Sequence, residues 1–168
     1  MKRHKSAQDL GTPWEFIYAV EHKFGKLTWD LACTLENKKA PYGLHYPEWD
    51  ALNNSWHDLT SIKEPMAKFA GIYRKLLWLN PPFDPITPWV RKCAEEVQLG
   101  AEIFLLAQAS VDSNWFWNYV QPYATVYTLD RITFMGQRYV YPKPLMLAHY
   151  CQSPTKELQR WRWKTLVD

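Results

Sequence analysis

The tetrapeptide Asn80-Pro81-Pro82-Phe83 combines an amide, two prolines and an aromatic ring in one short segment. Two successive prolines fix the backbone and remove two N–H donors, so the carbonyl groups of the turn remain available as acceptors. Asn80 adds a side-chain oxygen beside the Pro81 carbonyl, and Phe83 offers a flat apolar face. We interpret the tetrapeptide as a site that holds the amino group of a planar base while the base stacks on Phe83.

The chemistry that such a site favours is methyl transfer to an exocyclic amine. The lone pair of this amine is delocalised into the ring, and two acceptors that bind its hydrogens favour the pyramidal, nucleophilic form. Catalysis would rest on positioning the nitrogen in line with a sulfonium methyl group and on stabilising the developing charge, without a metal or a covalent intermediate. The tetrapeptide alone is also compatible with an ordinary turn in which Phe83 returns to the core.

The tetrapeptide lies between a predicted buried strand, Arg74–Leu79, and a predicted helix. The helix begins at Thr87, a capping residue followed by Pro88, and ends at Gly100. The apolar run Ala101–Ala107 then predicts a strand that is covered on both faces. Strand, helix and strand in this order indicate a parallel sheet. Because ligands of open α/β sheets bind at the carboxyl ends of strands, this position favours the functional interpretation of the turn.

The N-terminal region predicts a helix and then the first strand. Thr12 and Pro13 suit the cap and the first residue of a helix that ends at Gly25. The following segment, Leu27–Cys33, predicts a strand that ends on a carboxylate, Asp30, and on small residues. Strand ends of this kind often face ligands.

The remaining chain predicts shorter elements. Prolines and asparagines interrupt residues 34–71, which we interpret as loops with short helical pieces. The further predicted elements are an aromatic helix (Asn114–Val120), a strand (Thr125–Leu129), a hairpin around Met135-Gly136-Gln137, a last strand (Leu145–Tyr150) and a basic C-terminal helix (Thr155–Val167).

Charge and missing motifs exclude several classes of protein. The 168 residues carry 20 Lys+Arg and 17 Asp+Glu, a net charge of +3 that permits binding to a polyanion without requiring it. A chain of this length suits one domain. The sequence contains no GxxxxGKS/T, HExxH, CxxC, GxSxG or GxG motif, and its five histidines are scattered. We therefore expect neither a P-loop nucleotide site nor a metal site.

The three cysteines, Cys33, Cys93 and Cys151, are odd in number and far apart. This spacing argues against a disulfide framework and for a reducing compartment. The N-terminal residues MKRHKSAQDLG are basic but lack an apolar core, and no run approaches about 18 apolar residues. We expect a soluble, cytoplasmic protein without a membrane segment.

Several segments in order along the chain, from about Gly11 to Tyr150, are similar to one family. The segments are GTPWEF (11–16), WDLACTLENKKAP (29–41), DALNNSW (50–56), LLWLNPPF (76–83), QASVDSNWF (108–116), and Arg131, Phe134 and Gly136. Together they resemble the phage DNA N-6-adenine methyltransferases, a Dam-like group of S-adenosylmethionine-dependent enzymes. Where many methyltransferases carry a glycine-rich first loop, this chain has Asp30-Leu31-Ala32-Cys33.

The resemblance implies a Rossmann-like α/β fold with a mostly parallel central sheet and a C-terminal hairpin. It also implies S-adenosylmethionine as the methyl donor and N6 of adenine in DNA as the acceptor. The catalytic residues that it implies are Asn80, Pro81, Pro82 and Phe83. The cofactor-binding residues that it implies are Thr12, Pro13, Asp30, Ala32, Asn37 and Asp50. Simpler local roles are a helix cap for Thr12 or Asp50 and a solvated strand-end carboxylate for Asp30.

An adenine inside a duplex is inaccessible, so the implied enzyme must flip the base out of the stack. Phe83 would stack on the flipped base, while aromatic and basic residues would hold the DNA. The residues that we assign to nucleic-acid binding are Asp112, Ser113, Trp115, Arg131, Arg160 and Arg162. The alternative for the tryptophans, and the one that their helical position favours, is packing in the core, whereas the basic C-terminal residues suit a solvated tail equally well.

We therefore divide the chain into a flexible basic N-terminus (1–10), a methyltransferase domain (11–152) and a basic C-terminal helix or tail (153–168). The predicted protein is a phage or prophage DNA adenine-N6 methyltransferase, a monomer or homodimer acting in the bacterial host cytoplasm. The turn alone leaves cytosine N4 and RNA adenine open as acceptors. It also leaves open a catalytically inactive, methyltransferase-like DNA-binding protein.

Overall fold

A seven-stranded sheet organises the protein, whose computed structural model describes residues 10–45, 50–61 and 75–165. The strands are β1 (Leu27–Cys33), β2 (Tyr42–His45), β3 (Leu76–Leu79), β4 (Glu102–Gln108), β5 (Ala124–Leu129), β6 (Leu145–Tyr150) and β7 (Gln159–Trp161). The helices are α1 (Trp14–Phe24), a 3-10 turn (Ala51–Asn53), α2 (Trp56–Ser61), α3 (Thr87–Gln98) and α4 (Asn114–Tyr119). The predicted N-terminal tail (1–10) lies almost entirely outside the described residues.

The strand order is β2-β1-β3-β4-β6-β5-β7. Strands β2, β1, β3 and β4 run parallel, β6 is antiparallel to both β4 and β5, and β7 is parallel to β5. The predicted mostly parallel sheet of a Rossmann-like fold is confirmed. In the parallel half, Asp30 of β1 lies beside Gly43 of β2 and Trp78 of β3.

The two faces of the sheet bury separate apolar layers, and the short strand β3 contributes to both. Leu77 and Leu79 pack on the face that also contains Val90 of α3. Trp78 packs on the opposite face with Phe16 of α1. All four residues of β3 are buried, because side chains alternate between the faces of a strand and both faces are covered.

Both predicted helix caps differ from the observed ones. Helix α1 begins after Pro13, whose carbonyl accepts hydrogen bonds from the Phe16 and Ile17 N–H groups, and no side chain caps it. The hydroxyl of Thr12 instead accepts a hydrogen bond from Asn80, 68 residues further along the chain. Helix α3 follows Ile86, and Thr87 is its first residue rather than its cap. A tertiary contact has therefore replaced the local cap predicted at Thr12.

Strand β2 lies within residues 34–71, which we predicted to contain only loops and short helical pieces. The 3-10 turn and α2 confirm the helical pieces, but β2 was missed because it is four residues long and contains a glycine. Gly43 packs closely against β1, since a Cβ atom there would lie 2.5 Å from Cys33 Sγ. The strand can pair at this point because its residue has no side chain.

The C-terminal region differs most from its prediction. The predicted C-terminal hairpin is present as the antiparallel pair β5–β6, but its connection is the long loop of residues 130–144, which contains the turn at Met135-Gly136-Gln137. The predicted basic helix Thr155–Val167 is wrong, because Gln159–Trp161 forms β7. The period-two order of arginines and tryptophans explains the strand: Trp163 is buried, with its ring centroid 5.1 Å from that of Phe16, whereas Arg160 and Arg162 are exposed.

No disulfide joins Cys33, Cys93 and Cys151, all of which lie in described segments. No helix in the described ranges is long and apolar enough to cross a membrane. Within the same ranges, no cluster of three or more His, Cys, Asp and Glu side chains could hold a metal ion.

We expect the Gly43→Ala variant to unfold more easily than the wild type, because the added Cβ would meet buried Cys33 Sγ at 2.5 Å. Overpacking at a buried contact costs about 1–3 kcal/mol, which urea unfolding would measure. Cys33→Ala removes the sulfur, so Gly43→Ala should cost much less in that background. An equal cost in both backgrounds would refute the proposed contact.

Candidate functional site

A cavity of about 420 Å³ lies where β1 and β3 end, bordered by the segment before α1, the loop after β1 and the start of α3. This is the carboxyl edge of the parallel half of the sheet, where the sequence predicted a ligand site. The predicted site residues that line the cavity are Thr12, Asp30, Ala32, Asn37, Asp50, Asn80 and Pro82. Pro13, Pro81 and Phe83 are not among the lining residues.

Asn80 follows β3 directly, and its amide group is fixed by the segment that precedes α1. Nδ2 donates hydrogen bonds to the Leu10 carbonyl at 3.0 Å and to Thr12 Oγ1 at 3.1 Å. These two acceptors use both amide hydrogens and so define which atom is nitrogen and which is oxygen. Oδ1 is therefore the part of Asn80 that remains to accept a hydrogen bond from a ligand in the cavity.

The prolines and the phenylalanine of the turn have different positions. Pro82 lines the cavity and Pro81 is buried. The Phe83 ring is held edge-on by two aromatic rings, with centroid distances of 6.4 Å to Phe134 and 5.8 Å to Tyr141. Phe83 is half-buried and is not among the lining residues, so its role as a stacking face for the base stays a prediction.

Asp30 is the fourth residue of β1 and is only 3% exposed, so a solvated strand-end carboxylate is the wrong description. Its oxygens accept hydrogen bonds from the Lys39 N–H at 2.9 Å and the Ala32 N–H at 3.3 Å. Burial raises the pKa of Asp30 to about 6, and the two backbone hydrogen bonds oppose that rise. Asp30 therefore ties the loop after β1 back onto the strand and places a buried carboxyl group in the cavity wall.

Asn37 and Asp50 shape the two loops at the cavity mouth. Asn37 Oδ1 accepts a hydrogen bond from the Thr34 N–H at 2.7 Å. Asp50 is exposed and caps the 3-10 turn, because Oδ1 accepts from the Leu52 N–H at 3.0 Å and Oδ2 from Asn53 Nδ2 at 2.6 Å. Asp50 can cap the turn and also contact a ligand in the cavity, because each carboxylate oxygen has a second lone pair.

None of the residues assigned to nucleic-acid binding lines the cavity. Ser113 Oγ donates to the Ser110 carbonyl at 2.6 Å, and half-buried Trp115 packs against the core. Asp112, Arg160 and Arg162 are exposed. Arg131 is also exposed, but its guanidinium donates to the carbonyls of Tyr141 and Pro142. Arg131 therefore braces the loop of residues 130–144.

This loop reaches the cavity. The Met135 N–H donates to the carbonyl of Gly11, a lining residue, at 2.9 Å, and the Tyr141 N–H closes the loop base by donating to the Ile132 carbonyl at 2.8 Å. Its tip, residues 136–140, is exposed, with Tyr139 at 74% exposure and Arg138 beside it. Sequence reasoning missed Arg138 and Tyr139, although an aromatic and a cation between a glycine and a proline are a recognisable loop signal.

Lys39 was also missed. It lines the cavity at only 4% exposure, although we assigned it no role from the sequence. Nothing in the local sequence distinguishes the buried lysine from its neighbour. The distinction comes from the backbone hydrogen bond between Lys39 and Asp30.

Comparison with known proteins gave two matches. A sequence model of the DNA N-6-adenine-methyltransferase (Dam) family matches residues 2–141. The DNA N-6-adenine-methyltransferase of Escherichia phage T1 is 28% identical over 112 residues, which cover 66% of this chain and 40% of that protein. The chain thus spans less than half the length of this curated relative. The family match includes the whole cavity lining and the tip at residues 136–140, but not Arg160 or Arg162.

The raised pKa of Asp30 predicts a pH-dependent contribution to stability. Because the folded state binds this proton more tightly than the unfolded chain, the contribution is complete below pH 3.8 and is lost as the pH rises through about 6. Between pH 4 and 7, the free energy of unfolding of the wild type should fall by about 2–3 kcal/mol relative to Asp30→Asn.

Urea unfolding at a series of pH values would measure this difference. Asp50→Asn is the matched control, because it changes an exposed carboxylate of the same cavity and leaves Asp30 intact. A stability difference between wild type and Asp30→Asn that does not vary with pH would contradict the assignment.

Proposed function

The chain belongs to the DNA N-6-adenine-methyltransferase (Dam) family, and from this premise we propose that it transfers a methyl group from S-adenosylmethionine to the N6 amine of adenine in DNA. The observation that carries the proposal is the fixed amide of Asn80. Its Nδ2 is occupied by Leu10 and Thr12, and its Oδ1 is left as an acceptor at the wall of the cavity. An exocyclic amine needs such an acceptor.

The cavity residues fit the proposed donor. The cavity volume of about 420 Å³ lies in the range of small-molecule sites, and the wall combines apolar groups such as Leu31 and Trp89 with three carboxyl groups. We propose that Asp30, Ala32, Asn37 and Asp50 hold the cofactor. When bound, S-adenosylmethionine supplies an electrophilic methyl group on a sulfonium.

Thr12 and Pro13, which we assigned to cofactor binding, receive other roles in this proposal. Thr12 Oγ1 accepts a hydrogen bond from Asn80, so Thr12 positions the catalytic amide. Pro13 is buried outside the lining, and its carbonyl starts α1. Both residues thus support the geometry of the site rather than its affinity for the donor.

The residues of the turn would act on the acceptor amine. Asn80 Oδ1 and the Pro81 carbonyl beside it accept the two hydrogens of N6 and stabilise the positive charge that develops on the nitrogen. Pro81 and Pro82 keep the turn rigid, so these acceptors are in place before the base arrives. Phe83, held by Phe134 and Tyr141, fixes the turn against the loop of residues 130–144.

The exposed tip of residues 136–140 supports duplex DNA as the partner. Flipping an adenine costs about a few kcal/mol, and a side chain that fills the gap can offset this cost. Tyr139 is suited to that role, Arg138 to a phosphate contact, and Arg131 to bracing the loop. Arg160 and Arg162 are exposed cations that would extend the phosphate contacts.

Mass spectrometry of nucleosides tests the proposed function. The purified protein is incubated with S-adenosylmethionine and unmethylated DNA, which is then digested and examined for N6-methyladenine. If only N4-methylcytosine appeared, or if only RNA were methylated, the acceptor would be different from the adenine N6 amine of DNA. If the folded protein bound DNA but transferred no methyl group, the proposal that it is an active methyltransferase would be wrong.

Asn80→Ala should reduce methyl transfer by at least about 100-fold, because it removes an acceptor that stabilises the developing charge. The rate of methyl transfer to a DNA oligonucleotide would measure the loss, and circular dichroism would confirm the fold. Asn118→Ala, which removes an exposed asparagine of α4, is the control and should retain the activity. Full activity of Asn80→Ala would refute the proposed role.

Tyr139→Ala should slow methylation of a fully paired duplex by about 10-fold or more, because it removes a stacking partner. The defect should shrink when the target adenine is mismatched, since less energy is needed to flip an unpaired base. Tyr139→Phe keeps the ring and should behave like the wild type, as should Tyr18→Ala, which removes an exposed tyrosine of α1. An equal defect on paired and mismatched DNA would exclude a role in flipping.

A further inference from the structure

Lys39 lines the cavity, and its buried ammonium group forms no ion pair with a carboxylate of the described segments. The residue is 4% exposed, and no carboxylate of the described segments lies within 4 Å of its Nζ atom. The contacts of Nζ are Met135 Sδ at 3.1 Å and the Trp14 ring, whose centroid is 4.4 Å away. A thioether is a weak acceptor and an indole face attracts a cation without accepting a conventional hydrogen bond.

This arrangement is costly for a folded protein. Buried charges are normally paired, because neither a thioether nor an aromatic ring replaces the lost hydration of an ammonium group. Burial lowers the pKa of Lys39, and the charge of Asp30 opposes that effect. An anionic ligand in the cavity would remove the imbalance.

The backbone directs Lys39 inward. Its N–H donates to Asp30 Oδ2 at 2.9 Å, which fixes the residue against β1. The adjacent Lys38 does not line the cavity, and its Nζ donates to the Pro41 carbonyl at 2.8 Å in an exposed position. The chain therefore places one lysine of the pair at the surface and the other in the cavity.

We propose that Lys39 binds the carboxylate at the amino-acid end of S-adenosylmethionine, an inference that rests on the proposed function. The amino-acid end carries an ammonium and a carboxylate. Asp30, in the same wall, can accept from the ammonium through its remaining lone pairs, while Lys39 donates to the carboxylate. Lys39 is only 4% exposed, so a small ligand within the cavity reaches it more readily than a DNA phosphate does.

Two inert ligands test the proposal by calorimetry. S-adenosylhomocysteine carries the carboxylate, and its decarboxylated analogue keeps the ammonium and lacks only that group. The wild type should bind S-adenosylhomocysteine about 10- to 100-fold more tightly than the analogue, as expected for a charge-assisted hydrogen bond in a buried site. In Lys39→Met, which keeps a similar length without the charge, this preference should fall to nearly one.

Lys38→Met is the matched control, and it should keep the wild-type preference because its ammonium lies outside the cavity. In the absence of ligand, Lys39→Met should melt at the same temperature as the wild type or higher, since it removes an unpaired buried charge. If Lys39 only stabilised the fold, Lys39→Met would melt at a lower temperature than the wild type and would bind both ligands more weakly by the same factor.

The outcomes separate the inference from the proposed function. If the wild type binds both ligands equally, or if Lys39→Met keeps the preference, the inference is overturned while the cofactor assignment stands. If the wild type binds neither ligand, the donor assignment fails and the inference fails with it. The wild-type comparison needs no variant, so equal binding of the two ligands would overturn the inference even if Lys39→Met did not fold.

Discussion

The pair of hydrogen bonds from the Asn80 amide to Leu10 and Thr12 is the contact on which the site depends. A free asparagine side chain could present either its oxygen or its nitrogen to the cavity. Two acceptors on one side leave a single orientation in which both amide hydrogens are used. The neighbouring Gly11 carbonyl accepts from Met135, so the segment of residues 10–12 joins the turn after β3 to the loop of residues 130–144. The short segment before α1 therefore connects the proposed catalytic amide to the proposed DNA-binding tip.

The sequence predicted elements well where local pattern and tertiary environment agree. The bounds of β1 and β6 are those predicted. The strand β4 is displaced by one residue, and its continuous apolar run is buried on both faces of the sheet. The predictions that were wrong concern residues whose structure is determined by a partner far away in the sequence. The hydroxyl of Thr12 contacts Asn80 instead of capping α1, and the basic C-terminal segment pairs with β5 because Trp163 fills a gap beside Phe16. A single sequence does not display such partners.

The residues of the candidate site also fall into two groups, those that local sequence predicted and those that distant residues position. Residue types and their position after strands predicted the carboxyl, amide and proline groups that meet in the cavity, since these follow from where parallel strands end. The position of Phe83 did not follow, because two rings from the loop of residues 130–144 hold it. The glycine-poor first loop also has a physical explanation. Residues 30–33 belong to β1 itself, where small Ala32 lines the cavity, and Gly43 lets β2 pack against Cys33.

Asp30 and Lys39 show why the site is not arranged for maximal stability. Their backbones are joined by a hydrogen bond, yet no ion pair between their side chains neutralises the two buried groups. A direct ion pair would satisfy both groups within the protein and leave less for a zwitterionic ligand to gain by binding. Keeping the two charges apart costs folding free energy, because each group is desolvated without full compensation. In the proposed site, the same separation would provide a donor and an acceptor that are already in place when a ligand of matching charge enters, and the ligand would then supply the compensation.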